Sequence, residues 1–180
     1  MNNVLKKLKG GDRRSIGRVN EVVADVLNEP SLFGTLFNGL FTDDPVIRMR
    51  SADAIEKITA QHPDYLQPYK KRLLEQVAKI EQQEVRWHVA QMVPRLELSR
   101  EERASIVEIL LGYLTDKSSI VKTFSMQALV DLAENDADLR RRVIPLLDEL
   151  MRTGSPAMKT RGRKLLERLY RHSEDLGENP

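Results

Sequence analysis

The sequence predicts an all-α protein, a right-handed α-solenoid of about four helix pairs preceded by an N-terminal capping helix. Two observations lead to this prediction. Apolar residues recur at helical spacing along the chain, and the pattern of one such helix occurs four times. Aromatic residues make up only 5% of the sequence, which argues against an all-β sandwich. The chain of 180 residues is long enough for one domain with a substantial core.

The repeat is clearest in the second helix of each pair. Its apolar anchors are 36 to 38 positions apart, at Ile47, Val85, Val121 and Met158. Further apolar residues follow each anchor at the seventh, eighth and eleventh positions. These offsets put all of them on one side of a helix with about 3.6 residues per turn. The sequence therefore predicts four amphipathic helices that pack through the same face.

The first helix of each pair has an apolar column of its own. Leucines recur with the same period, at Leu36, Leu73, Leu110 and Leu146. Two independent columns with one period are hard to produce by chance, so we infer a true repeat. A helix near 15–28 would cover the first repeat. The eight repeat helices are predicted at 31–42, 45–61, 64–79, 82–96, 100–115, 119–134, 137–152 and 156–172.

Helix-start signals agree with these boundaries. An N-cap residue is followed by proline at 44–45 and again at 155–156. A serine at 118 or 119 can cap another second helix, and Ser99 with Glu102 forms a capping box.

Two prolines interrupt the pattern. Pro94 and Pro145 fall inside predicted helices, so a kink or a shifted boundary is expected at each.

The second helices read IRMRSADAI, VRWHVAQMV and VKTFSMQAL, an apolar residue, a cation, small residues and a further apolar pair. On a two-helix repeat of about 37 residues, this phrase resembles the HEAT family of armadillo-like α-solenoids over residues 31–172. Tetratricopeptide repeats match less well, because their period is shorter and their Trp, Gly and Tyr positions are missing here. The resemblance implies the fold and says little about function, because the motif encodes packing.

The resemblance divides the chain into three parts. A flexible basic arm is expected at 1–14, a HEAT-like repeat domain at 15–172 and a disordered tail at 173–180. The fourth repeat has Arg163 where the first two have a small alanine, which predicts a terminal cap with a solvated outer face. The four repeats are predicted at 31–61, 64–96, 100–134 and 137–172.

Composition excludes several classes of protein. The sequence has no cysteine, which rules out disulfides, cysteine-based zinc sites and thiol catalysis. We expect a cytoplasmic chain, since no secretory signal is visible and no apolar run is long enough to span a membrane. The net charge of +2 gives no general case for nucleic acid, so any such case depends on where the charges lie.

In a HEAT-like arrangement, the second helices line the concave surface. Residues outside the apolar stripe of these helices are therefore the expected partner contacts. The centre of the predicted surface is formed by Arg50, Trp87, His88 and Phe124. Its edge is formed by Arg86 and Lys122, with Gln91 and Arg161 beside them.

Each of these predictions has a purely structural alternative. The cation that follows each anchor (Arg48, Arg86 and their equivalents) is interpreted first as a bond between neighbouring repeats and second as a ligand contact. Trp87 either fills the surface between helices or is a binding hot spot. His88 is better explained as a helix-surface pair with Glu84 than as a catalytic group.

No catalytic motif occurs in the sequence, so we expect no enzymatic activity, cofactor or metal. Repeated His-Glu pairs, which the HEAT-like deoxyhypusine hydroxylases carry, are absent. The HEAT-like alkylation-repair DNA glycosylases place a carboxylate one turn after a concave Trp, where this chain has Gln91. A catalytic lesion binder would need a carboxylate from elsewhere, such as Asp53, to reach Trp87.

The leading hypothesis is a scaffold or adaptor that binds a protein partner through its concave face. The alternative is phosphate-backbone binding to nucleic acid by a relative of the alkylation-repair proteins that lacks their carboxylate. Basic residues clustered near both ends of the chain favour this alternative. The sequence leaves the oligomeric state open.

Overall fold

The computed structural model describes residues 3–12 and 14–175, with side chains up to residue 172. Within these residues the regular elements are ten α-helices and five short 3₁₀ helices. The chain divides into two compact units, residues 1–102 and 103–180.

In the first unit, α4 packs between α2 and α6, and the short α1 contacts both α2 and α3. Its α-helices are α1 (Asn3–Lys7), α2 (Val19–Asn28), α3 (Phe33–Asn38), α4 (Pro45–Thr59), α5 (Lys70–Glu75) and α6 (Gln83–Met92). Its 3₁₀ helices are Pro30–Leu32, Gly39–Phe41, Pro63–Tyr69, Val77–Lys79 and Val93–Arg95.

The helices predicted at 31–42 and 64–79 are broken into α-helical and 3₁₀ pieces, and their sequences show why. Pro30 and Pro63 each begin a 3₁₀ segment, and Pro68 lies inside the second one. Proline lacks the N–H that an α-helix would use. Gly39 begins the 3₁₀ helix Gly39–Phe41. A Cβ at this position would lie 2.2 Å from the hydroxyl oxygen of Ser51, so the backbone approaches α4 closely.

In the second unit, α10 packs against both α8 and α9. Its helices are α7 (Arg100–Tyr113, which begins just before the boundary between the units), α8 (Ser119–Ala133), α9 (Ala137–Thr153) and α10 (Pro156–Asp175).

The apolar stripe predicted on the second helices is confirmed in all four copies. Every residue at the anchor and at its seventh, eighth and eleventh following positions is buried, from Ile47 in α4 to Leu169 in α10. The column predicted on the first helices is wrong at Leu146, which is exposed, and Leu147 takes the buried place. Along α9 the buried apolar residues are spaced by fours (Leu139, Val143, Leu147), which sets this register.

The predicted helix caps are also confirmed. The carboxylate of Asp44 accepts hydrogen bonds from the first backbone N–H groups of α4, and Ser118 caps α8. Ser99 and Glu102 form the reciprocal capping box, each side chain accepting from the other's backbone N–H.

Two proline positions behave differently. Pro94 lies in the 3₁₀ helix Val93–Arg95 that follows the end of α6, as a shifted boundary requires. Pro145 is accommodated within α9, which continues to Thr153. The helix predicted near 15–28 begins at Val19, and Ile16 is exposed.

The expectation of a flexible arm at 1–14 is wrong for its first part. Residues 3–7 form α1, and Val4 and Leu8 are buried. Apolar residues four apart on α1 therefore pack into the first unit, which ties the segment down. From residue 176 onward the predicted tail lies outside the described residues, and α10 reaches Asp175. No described helix combines the length and the hydropathy needed to cross a membrane.

Candidate partner-binding surface

Arg50, placed at the centre of the predicted surface, is buried with 2% of its area exposed. Its guanidinium donates to backbone carbonyl oxygens of the loop between α1 and α2. These acceptors are Leu8 at 2.9 Å, Lys9 at 3.5 Å, Gly10 at 2.6 Å, Asp12 at 3.3 Å and Ser15 at 3.1 Å. Carbonyl dipoles converging on one cation compensate for its burial.

Glycines allow this loop to wrap around the guanidinium. Gly10, Gly11 and Gly17 all have positive φ, at 78°, 75° and 55°. A Cβ at Gly17 would lie 2.8 Å from the guanidinium carbon of Arg50. The prediction of Arg50 as a partner contact is therefore corrected, because its donors are occupied within the fold.

Arg48 forms the bond between neighbouring repeats that is expected of the cation after each apolar anchor. Its Nε donates to the side-chain oxygen of Gln82 at 2.9 Å, and its Nη1 donates to the carbonyl of Thr42 at 2.8 Å. Gln82 donates in turn to the carbonyl of Pro45, at 2.8 Å. At Arg48, the interpretation of the cation as a bond between neighbouring repeats is confirmed.

Arg86 repeats one half of this arrangement. It is half-buried, and its Nε donates to the carbonyl of Ile80 at 3.2 Å. The acceptor lies six residues before the arginine, as Thr42 lies before Arg48. Both cations thus close the turn that leads into their own helix.

His88 is buried in α6, with 8% of its area exposed. Burial lowers the pKa of its imidazole from 6.5 to about 4, because the charged form would lose its hydration. The carboxylates of Asp53, Glu56 and Glu84 oppose this shift, and the ammonium of Lys57 adds to it. The expected surface pair with Glu84 is corrected, since Glu84 is buried as well.

Gln91 organises the two aromatic rings that precede it. Its amide nitrogen donates to the carbonyl of Trp87 at 3.3 Å and lies 3.3 Å from Nδ1 of His88. With the amide as donor, Nδ1 is an acceptor and the proton of the neutral imidazole is on Nε2. The two rings lie 5.7 Å apart at an interplanar angle of 59°.

Trp87 is half-buried, unlike its neighbour His88. Among the described residues, none accepts a hydrogen bond from its indole N–H. Trp87 is therefore partly accessible to solvent.

Asp53 and Lys57 of α4 act electrostatically on His88 of α6. Neither residue was among the predicted partner contacts. Their side chains form an ion pair of 2.9 Å. In the sequence, an acid four residues before a lysine on a predicted helix indicates such an ion pair. Because the carboxylate of Asp53 is engaged by Lys57, it is not a free substitute for the carboxylate that Gln91 lacks.

The remaining predicted residues belong to the second unit. Phe124 and Lys122 are half-buried on α8, and Arg161 is exposed on α10. Arg161 donates to the side-chain oxygen of Gln127 at 2.9 Å, which joins the two second helices of this unit.

Comparison with known families agrees with this architecture. A model described as a HEAT repeat domain matches residues 6–169. No curated protein and no solved structure matches the chain. The match begins at residue 6, at the end of α1, and includes α2, which the sequence pattern alone leaves outside the repeats. The chain belongs to the HEAT repeat family.

Proposed function

We propose that this protein is a non-enzymatic HEAT-repeat scaffold that binds a protein partner through residues of its second helices that remain partly exposed. Trp87 is the observation that carries the proposal. Tryptophan and arginine dominate the energetics of protein interfaces, and Trp87 is the only tryptophan of the chain.

The surroundings of Trp87 favour binding. Its backbone carbonyl is held by Gln91, and its ring lies beside the buried ring of His88. A side chain that is already fixed loses little conformational entropy when a partner covers it. The half-buried Arg86 precedes it on the same helix.

The other parts of the proposal concern the whole chain. They are a right-handed solenoid of about four repeats, a partner on its concave face and a cytoplasmic location. The absence of enzymatic activity belongs to the same proposal. In repeat proteins of this kind the curvature of the stack creates an extended concave binding surface, which supports a protein partner.

Affinity capture from native lysate, with and without nuclease, tests the proposal. The wild-type chain should retain the same proteins in both arms, and Trp87→Ala should lose them while its helical circular dichroism is unchanged. Arg152→Ala is the control, because Arg152 is exposed on α9. Retention that disappears with nuclease would favour nucleic-acid binding, and equal retention by wild type and Trp87→Ala would contradict the proposal.

A further inference from the structure

The N-terminal part of α10 presents a dense group of exposed cations. Lys159, Arg161, Arg163 and Lys164 are all exposed, within six consecutive positions. We call these four residues the α10 cationic face.

A shallow depression lies on this face. Its lining begins with the apolar Pro156 and Ala157 and continues with the polar Thr160 and two cations. The complete lining is Pro156, Ala157, Thr160, Arg161 and Lys164. One side of the helix thus offers a guanidinium, an ammonium and a hydroxyl above a small apolar base.

These cations are not neutralised by acids of the same unit. Arg161 is engaged only by the uncharged side chain of Gln127, and Arg163 only by the carbonyl of Lys159 one turn earlier, among the described residues. Both bonds leave the positive charge of the guanidinium uncompensated.

Beyond Lys164 the charge of α10 is mixed. Glu167 is exposed in the next turn, Arg168 forms ion pairs with Asp131 and Glu134 of α8, and Arg171 is exposed. The four cations that precede Glu167 cover about 9 Å of helix, from the rise of about 1.5 Å per residue.

We propose that the α10 cationic face binds an acidic peptide segment, rich in Asp or Glu, of a protein partner. The inference rests on the proposed scaffold function and adds the chemistry of the bound segment. Carboxylates two to four residues apart reach the guanidinium of Arg161 and the ammonium of Lys164. The apolar base formed by Pro156 and Ala157 packs against the peptide backbone.

Two features favour a peptide over nucleic acid. Strong backbone binding to DNA tracks several phosphates in a row, and the exposed Glu167 interrupts the exposed cations after Lys164. Single-stranded nucleic acid is held by bases stacked on aromatic rings, and the depression has none in its lining. A short acidic peptide needs neither a long track nor a stacking surface.

Fluorescence anisotropy with the full chain tests the proposal. The probes are a fluorescein-labelled peptide of eight glutamates and a labelled oligothymidylate of eight nucleotides, each at low and physiological salt. The peptide should bind, and Arg161→Glu with Lys164→Glu should weaken it by about tenfold or more, because both ligating charges are reversed. The control variant, Arg141→Glu with Arg152→Glu on α9, has the same net charge and should bind nearly as the wild type does.

Each other outcome overturns the proposal. Tighter binding of the oligonucleotide through the same two residues would assign the face to nucleic acid. Equal weakening by both double variants would show that only the net charge of the protein matters. If the peptide does not bind at low salt, the proposed site does not exist. None of these results depends on Trp87, so a failed lysate capture and a failed peptide titration are distinguishable.

Discussion

The guanidinium of Arg48 donates to the side chain of Gln82, 34 positions away in sequence and 2.9 Å away in space. The bond links α4 to the residue that precedes α6, so it joins neighbouring helical repeats. We expect Arg48→Ala and Gln82→Ala each to lower the free energy of unfolding by about 1 kcal/mol.

A double-mutant cycle measured by urea unfolding isolates the bond. The coupling between Arg48 and Gln82 should be about 0.5–1 kcal/mol. Arg152→Ala is the control, because it removes only an exposed ion pair with Glu149 within α9. It should lower the free energy of unfolding by less than about 0.5 kcal/mol. A coupling near zero would show that the bond does not stabilise the repeat stack.

The loop around Arg50 should open when its cation is removed. Arg50→Ala should cost about 2 kcal/mol, and Arg50→Lys should cost less, because one ammonium cannot reach all the carbonyls. Gly17→Ala should also destabilise, by at least about 1 kcal/mol, since its φ is positive and its Cβ would meet the guanidinium.

Limited trypsin digestion reads the state of this loop directly. Cleavage after Lys9 and Arg14 should accelerate in Arg50→Ala and in Gly17→Ala at a temperature where both variants remain folded. Unchanged cleavage rates at both sites would mean that Arg50 does not hold the loop.

Two glycines should respond oppositely to alanine. Gly39→Ala should lower stability by about 2 kcal/mol, because the new methyl would overlap the side chains of Ser51 and Leu5. Gly112→Ala, in the last turns of α7 with nothing near its Cβ position, should raise stability by about 0.5 kcal/mol. Thermal unfolding of the two variants side by side checks both signs, and a tolerated alanine at Gly39 would contradict the close approach.

The burial of His88 should make the protein less stable in mild acid. In the unfolded chain the imidazole takes up a proton near pH 6.5, whereas in the folded chain its pKa is about 4. The unfolded state therefore binds more protons between these values, and stability falls as the pH is lowered. The loss between about pH 7.5 and 5.5 should be about 1 kcal/mol, from the difference between the two pKa values.

The variant His88→Gln separates this effect from other titrating groups. Urea unfolding at both pH values should show a smaller loss in His88→Gln than in the wild type, by about the same 1 kcal/mol. The carboxylates of Asp53 and Glu56 and the ammonium of Lys57 remain in the variant, so their contribution cancels. An identical loss in both proteins would mean that His88 titrates normally.

The packing of the second helices was predictable because it depends on local periodicity. Ile47 and the residues that follow it at helical offsets must share one face, whatever surrounds the helix. The bond of Arg48 was predictable in kind, because the equivalent cations of the other repeats have no acid four residues before them, where Gln82, Ser118 and Ser155 stand.

The fate of Arg50 and His88 was not predictable, because it depends on contacts distant in sequence. Backbone carbonyls surround Arg50, and a carbonyl has no sequence signature. Gly10 and Gly11, which permit the loop to turn around Arg50, lie within the arm that the sequence predicts to be flexible. His88 occupies the same position in its repeat as Arg50, and packing against neighbouring helices, not its own helix pattern, sets its burial.

Photo-crosslinking from position 87 tests the central claim most directly. The photoreactive residue p-benzoylphenylalanine replaces Trp87 in one variant and Arg152 in a control, and each is irradiated in native lysate treated with nuclease. We predict a discrete protein adduct from position 87 that position 152 does not give. No adduct at position 87, or the same adducts from both positions, would contradict a protein-binding surface at Trp87.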